Sequence, residues 1–455
     1  MDMRRKKKKI ITLGLCIGLV ALLAVYFGLF ADREIPPLEI SKVYSLPLGE
    51  NEEVFVRRII VSDLTGDGLK EVLMSYDVYS YVKQEVEEGI SVMILFKEAR
   101  MLILSSAAVG NPQKLWEYDS GLTRQTVAIG DFDGDGKPDI VVGGSMVENF
   151  MIEDVGDPSA SVTPRVEVLL QRENDGFDKV FSSDIAESFG PGLIEAGEFD
   201  GDGRTDFIVG GIVAENESPY PAYLFRNEGG GNFTMSPIAL KEGVTVMDMW
   251  KADINNNDGP PDLIIRALDL DNETYSMILL LNDGRGEFDF RELDISSNLV
   301  TIEDFTGNGY PDIIYTVENI QSGDEVYLLR NDQGSFAEPK SINIQNGGKS
   351  FGGMMSADFN NDNIPDVLLL EIDEESEIDS GNSEISLIGH LLLIEENAEG
   401  EFSFTREWSC NFLEGESISS PYAIAAADIN NNGLTDLILV SEDGEIYLVK
   451  STRLE

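Results

Sequence analysis

Seven times along the chain a short apolar stretch runs into a cluster of acidic and amide residues and emerges as a β-prone run. TVAIG leads into DFDGDGKPD at Asp131 and IVVGG follows; YAIAAA leads into DINNNGLTD at Asp428 and LILVS follows. A second apolar run comes next in each case, as in VEVLL, AYLFRN, MILLLN, VYLLRN and IYLVK. These segments have strand length and are rich in branched and aromatic residues. Several end in turns such as NEGGGNF or NDGRGEF, whose glycines and amides lead into one more strand. The pattern predicts four antiparallel strands per repeat, lettered A to D in chain order, with the acidic cluster in the A–B loop.

The clusters begin at Asp63, Asp131, Glu198, Asp253, Asp304, Asp358 and Asp428, with spacings of 68, 67, 55, 51, 54 and 70 residues. That period suits one small β unit, and units of four strands repeated around an axis make a β-propeller. The last repeat stops after its C strand, five residues from the C-terminus, whereas SKVYSLPLG, Ser41 to Gly49, resembles the D strands inside the chain. The expected fold is therefore an all-β, seven-bladed β-propeller of four-stranded antiparallel blades. The N-terminal strand completes the last blade and removes two exposed edges. A string of separate modules would leave one of them short of a strand.

The loops carry the candidate chemistry. Carboxylates at alternate positions of a tight loop converge on one centre, a glycine lets the backbone turn, and the acid at position nine closes the cage. Hard oxygen ligands of this kind suit Ca²⁺. An EF-hand needs flanking helices and a glutamate at position twelve, and neither is present. Asp131, Asp133, Asp135 and Asp139 form a complete set, as do Glu198, Asp200, Asp202 and Asp206. Weaker sets are Asp63, Thr65, Asp67 and Glu71, and Asp358, Asn360, Asp362 and Asp366, the latter with Asn363 where glycine is expected. Asp304, Thr306, Asn308 and Asp312 offer two carboxylates, as do Asp428, Asn430, Asn432 and Asp436. In the remaining loop an extra Asp258 precedes Gly259, so Asp253, Asn255, Asn257 and Asp262 need a distorted turn to share an ion. Against this stands the simpler reading that Asp and Asn in such turns bond their own backbone.

The motif D-x-D-x-D-G-x-x-D between two strands, repeated seven times, resembles the FG-GAP and VCBS repeats of the integrin α-subunit type of propeller, over residues 38 to 455. The resemblance implies an extracellular propeller with structural Ca²⁺ in the A–B loops, used for adhesion or as a carrier of binding loops.

Charge and the N-terminus set the context. With 83 acidic residues against 33 basic ones and a net charge of −50, nucleic acid is excluded as a partner and cations are favoured. Six basic residues, Arg4 to Lys9, precede twenty-one uncharged ones, Ile10 to Phe30. That run is long enough to span a bilayer as a signal-anchor helix, with residues 1–9 cytoplasmic, 31–37 a linker and the propeller outside. Cleavage of the segment would make the protein secreted. Cys16 and Cys410 define no disulfide framework.

Long B–C connections, Asp77 to Gly89, Ser145 to Pro164, Val213 to Pro221 and Asp373 to Ser386, put the expected binding surface for a protein or glycan ligand on the face opposite the A–B loops. Tyr79, Tyr81, Met146, Phe150 and Met151 are its candidate apolar contacts. The single histidine, His390, lies in a strand-like run, which removes most histidine-based catalysis and leaves no assignable catalytic residue. A binding or adhesion propeller is the favoured reading. A tethered polysaccharide hydrolase or lyase, and a purely structural envelope protein, are the alternatives.

Overall fold

A computed structural model describes residues 38–451, apart from 87–88, 107–110, 148–161, 173–175, 186–188, 214–219, 242, 256–258, 271, 273, 294, 320–322, 343–350, 362, 377–382, 397–401, 415–419 and 421. Every regular element among the described residues is a β-strand, and the strands form seven four-stranded antiparallel sheets plus one two-stranded ribbon. Six sheets each come from one contiguous segment. Blade I is Glu52–Ser62, Glu71–Val86, Gly89–Leu104 and Lys114–Tyr118; blade II is Leu122–Gly130, Asp139–Val147, Val162–Gln171 and Phe177–Asp184. Blades III to VI begin with the A strands Phe189–Gly197, Val244–Ala252, Val300–Glu303 and Phe351–Ala357. The remaining sheet is composite. It takes Ile424–Ala427, Asp436–Val440 and Glu445–Ser451 from the C-terminal end and Leu38–Ser45 from the other, in register from Leu38↔Ser451 to Ser45↔Glu445.

The core lies between the sheets. Because side chains alternate across a strand, each B strand feeds two neighbours. Leu73 of blade I packs with Val127, Ile140 and Val142 of blade II, whereas Met74 packs with Ile438, Val440 and Leu448 of the composite blade. The same division runs round the molecule: Val141 and Val168 meet Phe207 and Phe225, Ile208 meets Leu263 and Ile278, and Ile264 meets Ile313. Ile314 meets Val367 and Leu369, and Leu368 meets Leu437 and Leu439. These contacts link each blade to the next and return to the first, and each buried Leu, Ile, Val or Phe stabilises the ring by about 1.5–3 kcal/mol.

The expectations are corrected at several points. The described residues contain no helix, and so none long and apolar enough to cross a membrane; the expected transmembrane helix falls on residues 10–30, which lie outside them. Six blades are self-contained, and the last sheet is made by neither end alone. The N-terminal strand spans Leu38–Ser45, starting before and ending short of the stretch singled out by its likeness to D strands. Two long B–C connections are largely strand: Glu71–Val86 and Gly89–Leu104 make an extended hairpin, as do Asp366–Ser376 and Ser383–Glu396. Tyr79 belongs to the first of these, and its hydroxyl accepts a 3.1 Å bond from Arg57, so it braces a side chain. Phe150 and Met151 lie outside the described residues. His390 is in a strand, opposite Leu369 and Ser409.

Candidate functional site

The A–B loop of blade II shows how the motif folds. Asp131 at position one accepts from the amides of Gly134 and Asp135 on Oδ1 and of Gly136 on Oδ2, at 2.8, 3.1 and 2.9 Å, and so winds the loop around its own carboxylate. Gly134 and Gly136 have φ of 77° and 85° with nothing near an added Cβ, so it is the left-handed backbone and not space that calls for glycine. The sixth loop meets the same demand with Asn361 and Asn363, at φ 59° and 67°. Asp63, Asp304 and Asp428 repeat the role of Asp131. Glu198 bonds the amides of Gly201 and Asp202 with its longer arm, and Asp358 accepts from Asn363.

Position nine is a strut. Asp139 is 1% exposed, and its two oxygens accept from Phe132 N in its own loop and Gln171 N at the end of strand C, both at 2.8 Å. Asp206, Asp262, Asp312 and Asp436 tie loop to strand C in the same way. Asp366 and Glu71 hold their own loops. Position five braces its own turn. Asp135, Asp202, Asp67, Asn308 and Asn432 each accept from the amide two residues on, and Asp202 also pairs with Arg204. Asn430 donates to Asp436.

What converges is positions one, three and nine. Asp131, Asp133 and Asp139 present oxygens within 4.8 Å of one another, as do Glu198, Asp200 and Asp206. Ligands of one Ca²⁺ at 2.3–2.6 Å lie at most about 5 Å apart, so both triplets fit one ion. Position three is telling elsewhere too. Among the described residues, Thr65 Oγ1 and Asn255 Oδ1 are buried with no hydrogen-bond partner, which a bound cation would relieve. Asn257 and Asp362 lie outside the described residues, and Asp253, Thr306 and Asn360 stand at their expected loop positions.

Burial pushes the Asp139, Asp206 and Asp312 carboxyls up to about 6, with nearby carboxylates adding to the effect against the backbone amides that oppose it. The folded protein then binds more protons than the unfolded chain between about pH 4 and pH 6, so metal-free protein should lose stability as pH rises through that window, by about 1–3 kcal/mol per site. Melting in chelator between pH 4.5 and 7.5 checks this, with calcium expected to abolish the decline. A midpoint that climbed with pH in chelator would contradict it.

A second feature of this face had only a faint signal in the sequence, the Asn or Gln closing strand C. Gln171 Nε2 donates to Leu64 O of the preceding blade at 2.6 Å; Asn227, Asn282 and Asn331 reach Phe132 O, Phe199 O and Ile254 O at 2.8, 2.9 and 2.8 Å. Each latch joins two blades beside the buried apolar residue at position two of the loop.

The opposite face has a centre that the sequence did not point to. A cavity of about 470 Å³ opens among the A strands of blades I to IV. Their inner strands are bulged there, at Val56/Arg58, Thr123/Thr126, Pro191/Leu193 and Val246/Asp248, which re-aims side chains about the axis. Arg57 grips Asp77 at 2.6 Å, and Asp77 is wholly buried. Glu195 and Asp248, both raised by burial, are faced by Arg58 and Arg266. Each of these carboxylates has a cationic partner, unlike a catalytic pair that shares a gap.

Fold and loops together define a β-propeller whose blades repeat an acidic A–B turn. An FG-GAP-like repeat matches residues 198–265 and 304–369, and an FG-GAP repeat matches residues 123–147. The chain thus carries FG-GAP-type repeats on an all-β propeller. Similar solved structures include the exotype rhamnogalacturonan lyase YesX, at 14% identity over 93% of this chain and 76% of that one, TM-score 0.48. Rhamnogalacturonan lyase YesW matches at 14% over 92% and 75%, TM-score 0.47, and the Bacillus licheniformis rhamnogalacturonan lyase PL11 at 14% over 92% and 75%, TM-score 0.48. No curated protein matches the sequence.

Proposed function

We propose that this protein is a calcium-binding propeller that works outside the cytoplasm as a binding or adhesion module, with Ca²⁺ rigidifying the A–B loops and a protein or glycan ligand taken on the opposite face. The observation that carries the calcium reading is the behaviour of position three. Its oxygen joins a converging carboxylate triplet in blades II and III and is buried without a partner in blades I and IV. In blades II and III that oxygen also accepts an amide of its own turn at 3.2 Å, so what favours a hard cation over turn chemistry alone is the convergence of three carboxylates there and the buried acceptors left without a partner in blades I and IV. The metal's role is structural, because the position-nine acid that would hold it already ties loop to strand C. Calorimetric titration of Ca²⁺ into chelator-treated protein, with Mg²⁺ as control, tests this. Two or more Ca²⁺-selective sites are expected; no heat at millimolar calcium would reduce the loops to turn chemistry.

A further inference from the structure

The cavity on the face opposite the A–B loops is chemically out of keeping with the chain around it. In a protein with 83 acidic and 33 basic residues, its lining contains three arginines, Arg57, Arg58 and Arg124, and no carboxylate. The three are not equally available. Arg57 is committed to Asp77 through two nitrogens, at 2.7 and 2.6 Å. Arg58 is 3.7 Å from Glu195, with 39% of its side chain exposed. Arg124 is exposed and has no ion-pair partner among the described residues.

The position of Arg124 is built, not incidental. Its φ is +53°, a conformation that non-glycine residues rarely adopt, and its amide is held at 3.2 Å by Oδ1 of the buried Asp77. Asp77 thus anchors Arg57 and sets the backbone that carries Arg124. Next to it, Gln125 is fully buried and lines the same cavity. Its Nε2 is fixed by bonds to Ser120 Oγ and Leu122 O at 2.9 and 3.0 Å, which leaves Oε1 as the group with no partner. A buried acceptor of this kind calls for a donor.

We propose that this cavity binds a small organic anion carrying both a carboxylate and a hydroxyl, a hydroxy acid or sugar acid. The carboxylate meets Arg124 and Arg58, where guanidinium geometry suits it, and the hydroxyl donates to Gln125 Oε1. Tyr422, 40% exposed at the rim, offers a ring face to the body of the ligand. The volume lies within the roughly 300–1,000 Å³ of small-molecule sites. The inference deepens the reading of this face as the binding face and does not depend on calcium.

The test is a titration of the full-length protein, in added calcium, with four probes: glucuronate, lactate, acetate and glucose. At least one of the first two is expected to bind, with acetate, which lacks the hydroxyl, and glucose, which lacks the carboxylate, at least tenfold weaker. Arg124→Met should weaken binding of the acid at least tenfold and Arg124→Lys less, with the melting midpoint of both variants close to that of the unaltered protein. Glucuronate alone would identify a sugar-acid site and lactate alone a hydroxy-acid site, both in support. Binding of neither acid, or of all four probes alike, would overturn the proposal, as would acid binding unchanged in Arg124→Met. Loss of acid binding with calcium stoichiometry intact would separate a failure here from a failure of the calcium reading. Should a variant misfold, a fall in acid affinity with rising salt, shown by the unaltered protein alone, replaces it; salt-independent binding counts against the site.

Discussion

Stripping calcium from this protein should lower its melting midpoint by on the order of 10 °C. A ligand at a thousand times its Kd stabilises by about 4 kcal/mol per site, and the two carboxylate triplets alone would supply about twice that. The effect divides between loop positions in a way that turn chemistry would not reproduce. Asp133→Ala removes an oxygen from the triplet with Asp131 and Asp139 and should lose the blade II ion. Asp135→Asn keeps the acceptor that bonds the Lys137 amide and should retain the ion with a modest drop in affinity. Scanning calorimetry of the unaltered protein and both variants, with calcium and with chelator, measures all of this. Equal calcium-dependent shifts in the three proteins would remove position three from the site.

Arg57→Met should cost about 3–5 kcal/mol, since it leaves the carboxylate of Asp77 buried and unpaired. Burial already raises Asp77, and the Arg57 guanidinium is the main influence holding it down. The loss should reach beyond blade I, because Asp77 also fixes the Arg124 backbone. Replacing both partners, Arg57→Met with Asp77→Leu, should recover part of the loss, since apolar groups in place of a buried pair are close to neutral, while the Arg124 amide left without its acceptor keeps the double variant below the parent. Denaturant unfolding of the parent and both variants checks this, and a single Arg57→Met variant as stable as the parent would show that the pair is dispensable.

The blade unit was legible because it is local. Apolar, β-prone runs such as LIIRA or VLLLE, glycine at the left-handed turn, and aspartate at position one all act within a few residues, and the loops fold around Asp131 and Asp63 as their own sequence directs. The two loops richest in carboxylates were legible too, and in them positions one, three and nine converge while position five bonds its own turn. Their burial was not. Asp139 reads as a fourth surface carboxylate until Gln171, thirty-two residues later, lays its amide against it. The latches were hidden for the same reason, as Asn282 finds Phe199 O across 83 residues.

The sequence by itself determined the strands, their order within a blade, the acidic turns and the missing outer strand of the last repeat, because each depends on backbone preference and on the two-residue period of a sheet. Only the tertiary structure decided which face of each strand meets which neighbour, that the described part contains no helix, and that three arginines from two blades gather at one cavity. Side chains around a central axis come from segments tens to hundreds of residues apart. Their meeting depends on the closure of the ring and on the bulges of the inner strands, which no single stretch of sequence contains.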